Sequence, residues 1–356
     1  MPGGTPGGLE AAMTNRQWTL TDAPIERMPT LANFALRESP VPVPGPGQAL
    51  ARTVYISLDP YQWGYKVKGL ERPGDVLHAR TVAQVETSNT PDWQPGDFVH
   101  CLNGWSEYGL IGAGVPEHAY MKTRRIDPSL GHPSLALGVL GMNGLTAYAG
   151  LLVQGQPEPG ETVVVSAATG GVGQIVGQLA KIRGCRVVGI VSTEEKMRVA
   201  REDLGYDAAV SHLSPDLPGD LAKACPDGVD VYFENVGGRL FDATAALFNR
   251  GARMTICGLI GERPDGSSAK GKAALLARSA DLRAARRVTV NEHFVGDFVD
   301  SHFDRFLADV SRWYAEGRIH YREDIRDGIE NAPAAYIDMM QGGNLGKTMI
   351  RASAEA

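Results

Sequence analysis

The 356-residue chain has only four cysteines, with no CxxC pair and no close cluster among them. Cys101, Cys185, Cys225 and Cys257 thus offer no disulfide framework, and a reducing, cytoplasmic compartment is expected. The opening MPGGTPGGLEAA has neither a basic region nor an apolar core, so it does not read as a secretory signal. Residues 1–12 are expected to be a disordered tail. Excess positive charge is missing too: 35 basic against 41 acidic side chains leave a net charge of −6, which argues against a nucleic-acid partner. The eight histidines include no HxH or HExxH, so no metal site is expected. Ser106 lies in GWSEY rather than GxSxG, which removes the nucleophile elbow of a serine hydrolase. None of the eleven tyrosines is followed four residues later by lysine, the proton-donating pair of short-chain reductases. The uncharged run from Leu135 to Val153 is interrupted by Gly138, Gly141, Asn143, Gly144, Thr146 and Gly150. It reads as a loop and a buried helix rather than a membrane span.

What the chain does contain is an ordinary soluble composition, 43% hydrophobic and 21% charged, in a length that suggests two domains. From Gln17 to about Ile126, short apolar runs broken by turn residues predict a β-rich segment. Beyond Gly141 strands and helices alternate, with strands expected at TVVVSAA, RVVGIV, AAVSH, VDVYFENV and RMTICGLI. Helices are expected over Gly171–Arg183, Thr193–Leu204 and Leu240–Phe248. That alternation implies a parallel sheet of the α/β class. The polar stretch Gly261–Ala274 predicts a mobile excursion or lid, Phe298–Glu316 a helix, and the final GKTMIRA an edge strand.

TVVVSAATGGVGQIVGQLAKIRGCRVVGIV carries the most chemistry. An apolar strand runs into Gly170, Gly171, Val172 and Gly173, then a helix, then a second strand. A helix N-terminus offers unpaired N–H groups and partial positive charge, and glycine lets a pyrophosphate approach the backbone. The usual GxGxxG appears as Ala168, Gly170 and Gly173, and alanine still permits a fairly tight turn. After the second strand, Ser192 stands where an acidic residue would hold a ribose diol, while Lys196 offers a cation to a 2′-phosphate. NADP is favoured over NAD on this reading. Glu194 or Glu195 gripping the diol, or a merely solvated helical turn, stays open.

The strings NRQW, SLDPY, GMNGLTAY, SAATGGVG, GCRVVGIV, FENVGG, CGLI, IENAPAAY and NLGKT run from Asn15 to Thr348. Together they resemble the zinc-independent branch of the medium-chain dehydrogenase/reductase superfamily, which holds prostaglandin/leukotriene, alkenal double-bond and curcumin reductases. The resemblance implies a β-rich, GroES-like catalytic domain from 13–139 with 321–356, and a Rossmann dinucleotide-binding domain over 140–320, with the active site between them. Zinc-using relatives bind metal through an early cysteine, and SLDPYQWG has none at that position. The pyrophosphate is expected on Gly170, Gly171, Val172 and Gly173, and the 2′-phosphate near Lys196. His212 stands where relatives often place a tyrosine on that phosphate, and an imidazolium is a substitute. Met142, Asn235, Cys257, Phe294, Val295 and Asn344 match positions that line the nicotinamide and its ribose.

The activity this implies is NADPH-dependent reduction of the C=C bond of a small-molecule enone or enal, in a homodimer joined through its nucleotide domains. Tyr55 in VYISLDPY matches a tyrosine that related reductases place near the substrate, and it is the expected catalytic group at the carbonyl or enolate; a half-buried strand tyrosine is the structural reading. Trp63, Tyr65 and Trp105 are candidates either for an aromatic wall around a planar substrate or for core. Many relatives carry a tyrosine soon after CGLI, and GERPDGSSAK has none; relatives usually follow DPY with Met-Arg, where this chain has Gln62-Trp63. Reduction of a quinone or a carbonyl, and NADP binding without turnover, stay open as alternatives.

Overall fold

The computed structural model describes residues 14–261 and 268–355, excluding the side chains of 268–270. The expected tail, 1–12, lies outside them. Strands β1 (Thr14–Leu20) and β2 (Phe34–Pro40) form an antiparallel ribbon. Five strands follow: β3 (Gln48–Ser57), β4 (Thr81–Ser88), β5 (Phe98–Cys101), β6 (Tyr108–Gly112) and β7 (Arg124–Arg125). They belong to a sheet that is antiparallel within this segment, as the short apolar runs predict.

The alternating half of the chain supplies β8 (Thr162–Ser166), β9 (Arg186–Val191), β10 (Ala208–Ser211), β11 (Val229–Glu234), β12 (Phe248–Ile256) and β13 (Thr289–Glu292). All six are parallel, in the order β10-β9-β8-β11-β12-β13. Every residue of β8 is buried, as expected of a strand covered by helices on both faces. Helices Gly173–Ile182, Glu194–Glu202 and Val299–Ala315 match the expected ones within a few residues. The helix expected over Leu240–Phe248 ends at Ala245, because Phe248 already begins β12.

The chain then returns to the first sheet through β14 (Glu323–Asp327) and β15 (Lys347–Arg351). The order there is β14-β15-β3-β4-β5-β7, with β6 also on β3. The closing GKTMIRA strand is therefore interior, not an edge: it is parallel to β14 and antiparallel to β3. Lys347, a charged residue that would suit an edge, is instead paired with Asp59 inside the fold.

Leu135–Val153 resolves into a 3₁₀ turn (Pro133–Leu137), an α-helix (Met142–Tyr148) and a π-helix (Ala149–Gly155). The Thr255 hydroxyl donates to the Gly150 carbonyl at 2.8 Å, giving that distorted turn a partner outside the helix. Among the described residues no helix is long and apolar enough to cross a membrane. The stretch expected as an excursion, Gly261–Ala274, lies partly outside the described residues, and its second half is helical from Ser268.

Candidate active site

The order of the parallel strands fixes where a ligand can be held. Neighbours β8 and β11 send their chains outward in opposite directions across the sheet, and the crevice beyond their carboxyl ends is where open α/β sheets bind ligands. The expected cofactor residues fall just past successive strand ends. Gly170–Gly173 follow β8, Lys196 follows β9, His212 follows β10, Asn235 follows β11, Cys257 follows β12, and Phe294 and Val295 follow β13.

The loop after β8 is tightly wound. Ala167, not the glycine-equivalent Ala168, takes the left-handed conformation, at φ +50°. Ala168 is fully buried against Gly189, where a Cβ would come within 2.9 Å of its methyl group. Gly173 opens the helix, and a Cβ there would lie 2.3 Å from the Ala167 carbonyl oxygen and 2.9 Å from the Ala168 Cα. Both are backbone atoms, so nothing flexible can yield. A Cβ on Gly171 would lie 2.6 Å from Nδ2 of Asn143. The loop thus presents bare backbone N–H groups at a helix N-terminus, a cradle fit for a pyrophosphate. Tyr206, packed against Gly177, donates to the Gly173 carbonyl at 2.8 Å and holds the start of the helix.

Beside the cradle lies a cationic corner. The Thr193 hydroxyl accepts from Lys196 N at 3.3 Å and caps the helix that carries Lys196. Lys196 Nζ donates to the Gly342 carbonyl at 2.7 Å, and half-burial lowers its pKa. His212 donates its backbone N–H to Val191 O at 2.8 Å. Its imidazole is held below the ordinary range by burial first, then by Arg239 and Lys196. Arg239 is a second cation, one that the sequence did not single out, held by a bond to the Ser214 carbonyl at 2.9 Å. Its signal was available in FENVGGR, a cation directly after the glycine pair. Glu194 is exposed and faces Arg201 at 3.7 Å, which matches the solvated-turn reading.

Deeper in the crevice, Asn235 Nδ2 donates to the Ser166 carbonyl at 2.7 Å and locks β11 to β8 at their carboxyl ends. Buried Glu234 accepts from Ser166 Oγ, Tyr232 Oη and Val236 N, each at 2.7 Å, beneath the same edge. Cys257 donates its N–H to Glu234 O at 2.9 Å, and burial pushes its thiol up to about 12. Asn344 donates to the Gly346 carbonyl at 2.9 Å, and Gly346 in turn donates to Thr169 O at 3.1 Å, so the closing strand is tied to the glycine loop. Phe294 is half exposed and Val295 half buried. Met142 is buried in the hydrophobic core with Phe306 and Leu145.

Facing this edge is a wall built from the other sheet. Helix Tyr61–Val67 places Tyr61 and Tyr65 one turn apart on one face, while Trp63 and Lys66 point into the core. Ring centroids step from Tyr65 to His78 (4.9 Å), His118 (5.7 Å), Tyr120 (4.1 Å) and finally Phe294 (5.2 Å). Tyr120 to Phe294 carries this ring series across to the parallel-sheet half. Tyr61 Oη lies 3.0 Å from His78 Nε2, and Tyr65 Oη 3.2 Å from His118 Nε2. Burial keeps both imidazoles neutral, His78 down to about 3. The Arg80 guanidinium lies 5.0 Å over the Tyr61 ring and donates to Tyr120 Oη at 3.4 Å.

Next to these rings, buried Lys347 donates to Asp59 Oδ1 and Leu58 O, both at 2.7 Å, and Ser57 donates to Asp59 Oδ2 at 2.5 Å. Burial opposes both charges, and Lys347 and Arg80 keep Asp59 ionised. Sequence reasoning quoted these residues inside SLDPY and NLGKT without giving them roles, because 288 positions separate the pair.

Tyr55 has other partners. Its hydroxyl donates to Glu355 at 2.7 Å and its ring meets His132 edge-on at 5.8 Å, in a recess that also includes Asp327 and Arg351. No member of that set belongs to the ring series or the glycine loop. The cause is local: the β3–β4 register slips between Thr53 and Tyr55, and such a bulge re-aims the side chain beyond it. Trp63 and Trp105 are likewise not a substrate wall. They are 0% and 1% exposed, packed with Phe34 in the core of the β-rich half; of the three aromatic candidates, only Tyr65 joins the rings.

Comparison with known proteins bears on this arrangement. Residues 171–308 match the family model described as zinc-binding dehydrogenase, and residues 16–116 match the N-terminal domain of oxidoreductase. Over 349 residues the chain is 41% identical to NADPH-dependent curcumin reductase of Escherichia coli (strain K12), covering 96% of this chain and 98% of that protein. It is 35% identical to prostaglandin reductase 1 of Rattus norvegicus, covering 95% and 99%. The crystal structure of CurA in complex with NADPH from Vibrio vulnificus superposes with a TM-score of 0.82 at 40% identity, covering 95% of this chain and 99% of that one. Among the described residues no three His, Cys, Asp or Glu side chains converge as a metal-ligand set.

Proposed function

The chain belongs to the zinc-independent branch of the medium-chain dehydrogenase/reductase family, and from that membership we propose that it saturates the carbon–carbon double bond of α,β-unsaturated ketones and aldehydes. It is an NADP(H)-dependent oxidoreductase. When bound, NADPH supplies a hydride to the β-carbon and the α-carbon takes a proton, a two-electron reduction that leaves NADP⁺ and the saturated carbonyl.

The observation that carries the reading is the crevice itself: a glycine cradle with a cationic corner on one side, phenols and a guanidinium on the other, joined where Tyr120 meets Phe294. Gly170–Gly173 would hold the pyrophosphate through backbone N–H groups, and Lys196, Arg239 and His212 the 2′-phosphate. Asn235 and Cys257 would border the nicotinamide. Tyr120, fixed by Arg80 and next to Phe294, is the phenol assigned to the substrate oxygen, where a donor stabilises charge as it develops. We read the two sheets as the two domains, 13–139 with 321–356 and 140–320. The exposed ends of edge strand β13 are the expected seam for a second copy, and the four free cysteines support a cytoplasmic location.

The test is NADPH oxidation with an enal, an enone, a quinone and an alcohol, followed by product identification. A saturated ketone or aldehyde is the expected product. An allylic alcohol or a hydroquinone as the only product contradicts the reading.

A further inference from the structure

Arg80 stands out among the groups facing the crevice. It is 6% exposed, yet among the described residues it forms no ion pair. Among the described residues its single side-chain hydrogen bond is the long one from Nη2 to Tyr120, and its buried Nε has no acceptor. The acid that acts on it, Asp59, is already occupied by Lys347 Nζ at 2.7 Å and Ser57 Oγ at 2.5 Å. The adjoining pair, Lys66 with Glu71 at 2.6 Å, is neutral as a unit, and His78 and His118 are uncharged. Counting these groups leaves one positive charge without a counter-charge, on a side chain held among the rings of the candidate substrate wall.

A desolvated cation is costly unless something pairs with it, and a guanidinium offers a planar fork that suits a carboxylate. We propose that Arg80 selects substrates in which the activated double bond carries a carboxylate, an oxo-enoate, with the carboxylate accepting from guanidinium N–H groups that have no acceptor among the described residues. This rests on the enone-reductase reading and adds a substrate class and a specificity residue to it. The carboxylate keeps its charge throughout, so its pairing with Arg80 acts on binding and appears in KM more than in kcat.

The test compares 4-oxopent-2-enoate with its methyl ester as substrates for the intact enzyme with NADPH, in the wild type, Arg80→Met and Arg80→Lys. Comparing the ratio of the two substrates across the three proteins cancels their intrinsic reactivity. Wild type should prefer the acid. Arg80→Met loosens Tyr120 for both substrates, so the readout is the difference between them: kcat/KM should fall roughly 10- to 100-fold further for the acid than for the ester, the extra loss mainly through KM. Arg80→Lys should keep part of the preference. Equal losses for both substrates, or an unchanged ratio, overturn the proposal. Unmodified enzyme gives a second measurement: 4-oxopentanoate should inhibit more tightly than its methyl ester, and equal inhibition again overturns it. Wild type that reduces neither substrate nor any simple enone overturns the underlying function, whereas ready reduction of the ester without preference for the acid overturns this inference alone.

Discussion

The two sides of the crevice are built in opposite ways. On the parallel-sheet side each group stands directly after its own strand, and the glycine cradle is complete within about ten residues, Ser166 to Gln174. On the other side the wall is assembled from Asp59, Tyr61, His78, Arg80, Tyr120 and Lys347, brought together by a strand that returns from the end of the chain. A locally encoded site survives changes elsewhere, whereas an assembled one depends on the tie that closes it. Lys347 is that tie: it pairs with Asp59, and its Cδ is 3.2 Å from where a Cβ on Gly171 would lie.

Breaking the tie is expected to have the largest effect. Lys347→Met removes the ion-pair partner of buried Asp59, which should cost about 3–5 kcal/mol of stability, read as a fall in denaturation midpoint. Adding Asp59→Asn should recover a substantial part; no recovery would mean that the pair is not what holds the wall. Next is Tyr120→Phe, expected to lower kcat by roughly 100-fold while leaving the Kd for NADPH unchanged, since the phenol belongs to the assembled side only. A shift in Kd of the same size would erase the distinction between the sides.

Gly173→Ala tests the local side in the reverse sense. The added methyl group meets backbone, so NADPH affinity should fall by about 30-fold with the ring wall intact; affinity within threefold of wild type would mean that the loop relaxes freely. Lys196→Ala and Arg239→Ala should each weaken NADPH by roughly tenfold and NADH hardly at all. His212 adds a pH signature. Its pKa is depressed in the free protein, and a bound phosphate favours the charged form, so NADPH affinity should rise as pH falls toward that depressed pKa while NADH affinity stays level. The smallest effect is expected from Tyr55→Phe. Its hydroxyl is committed to Glu355, so turnover should stay within about threefold, and a larger loss would return Tyr55 to the substrate.

The same contrast explains what could be read from sequence. The parallel sheet, the glycine loop and the residues at its strand ends were legible because strand, turn and helix signals are local. Arg239 could have been found by the same logic, as a cation after a glycine pair beyond a strand. The assembled wall was not legible. Nothing near Asp59 announces a partner 288 residues away, and Arg80 shows its lack of a counter-ion only once its neighbours are in place. Tyr55 was read from its match to a tyrosine of related reductases, which does not reveal the slip in register between Thr53 and Tyr55. Trp63 looked available to a substrate because it follows DPY, but helical geometry turns it opposite to Tyr61 and Tyr65.

The central claim is that reducing equivalents reach the olefin rather than the carbonyl, within the crevice closed by these two sides. Its most direct test is the fate of deuterium from NADPH labelled at the transferring position, followed by NMR of the product formed from an enone. The account predicts one deuterium on the β-carbon of a saturated ketone. Deuterium on a carbinol carbon with the double bond retained would contradict it.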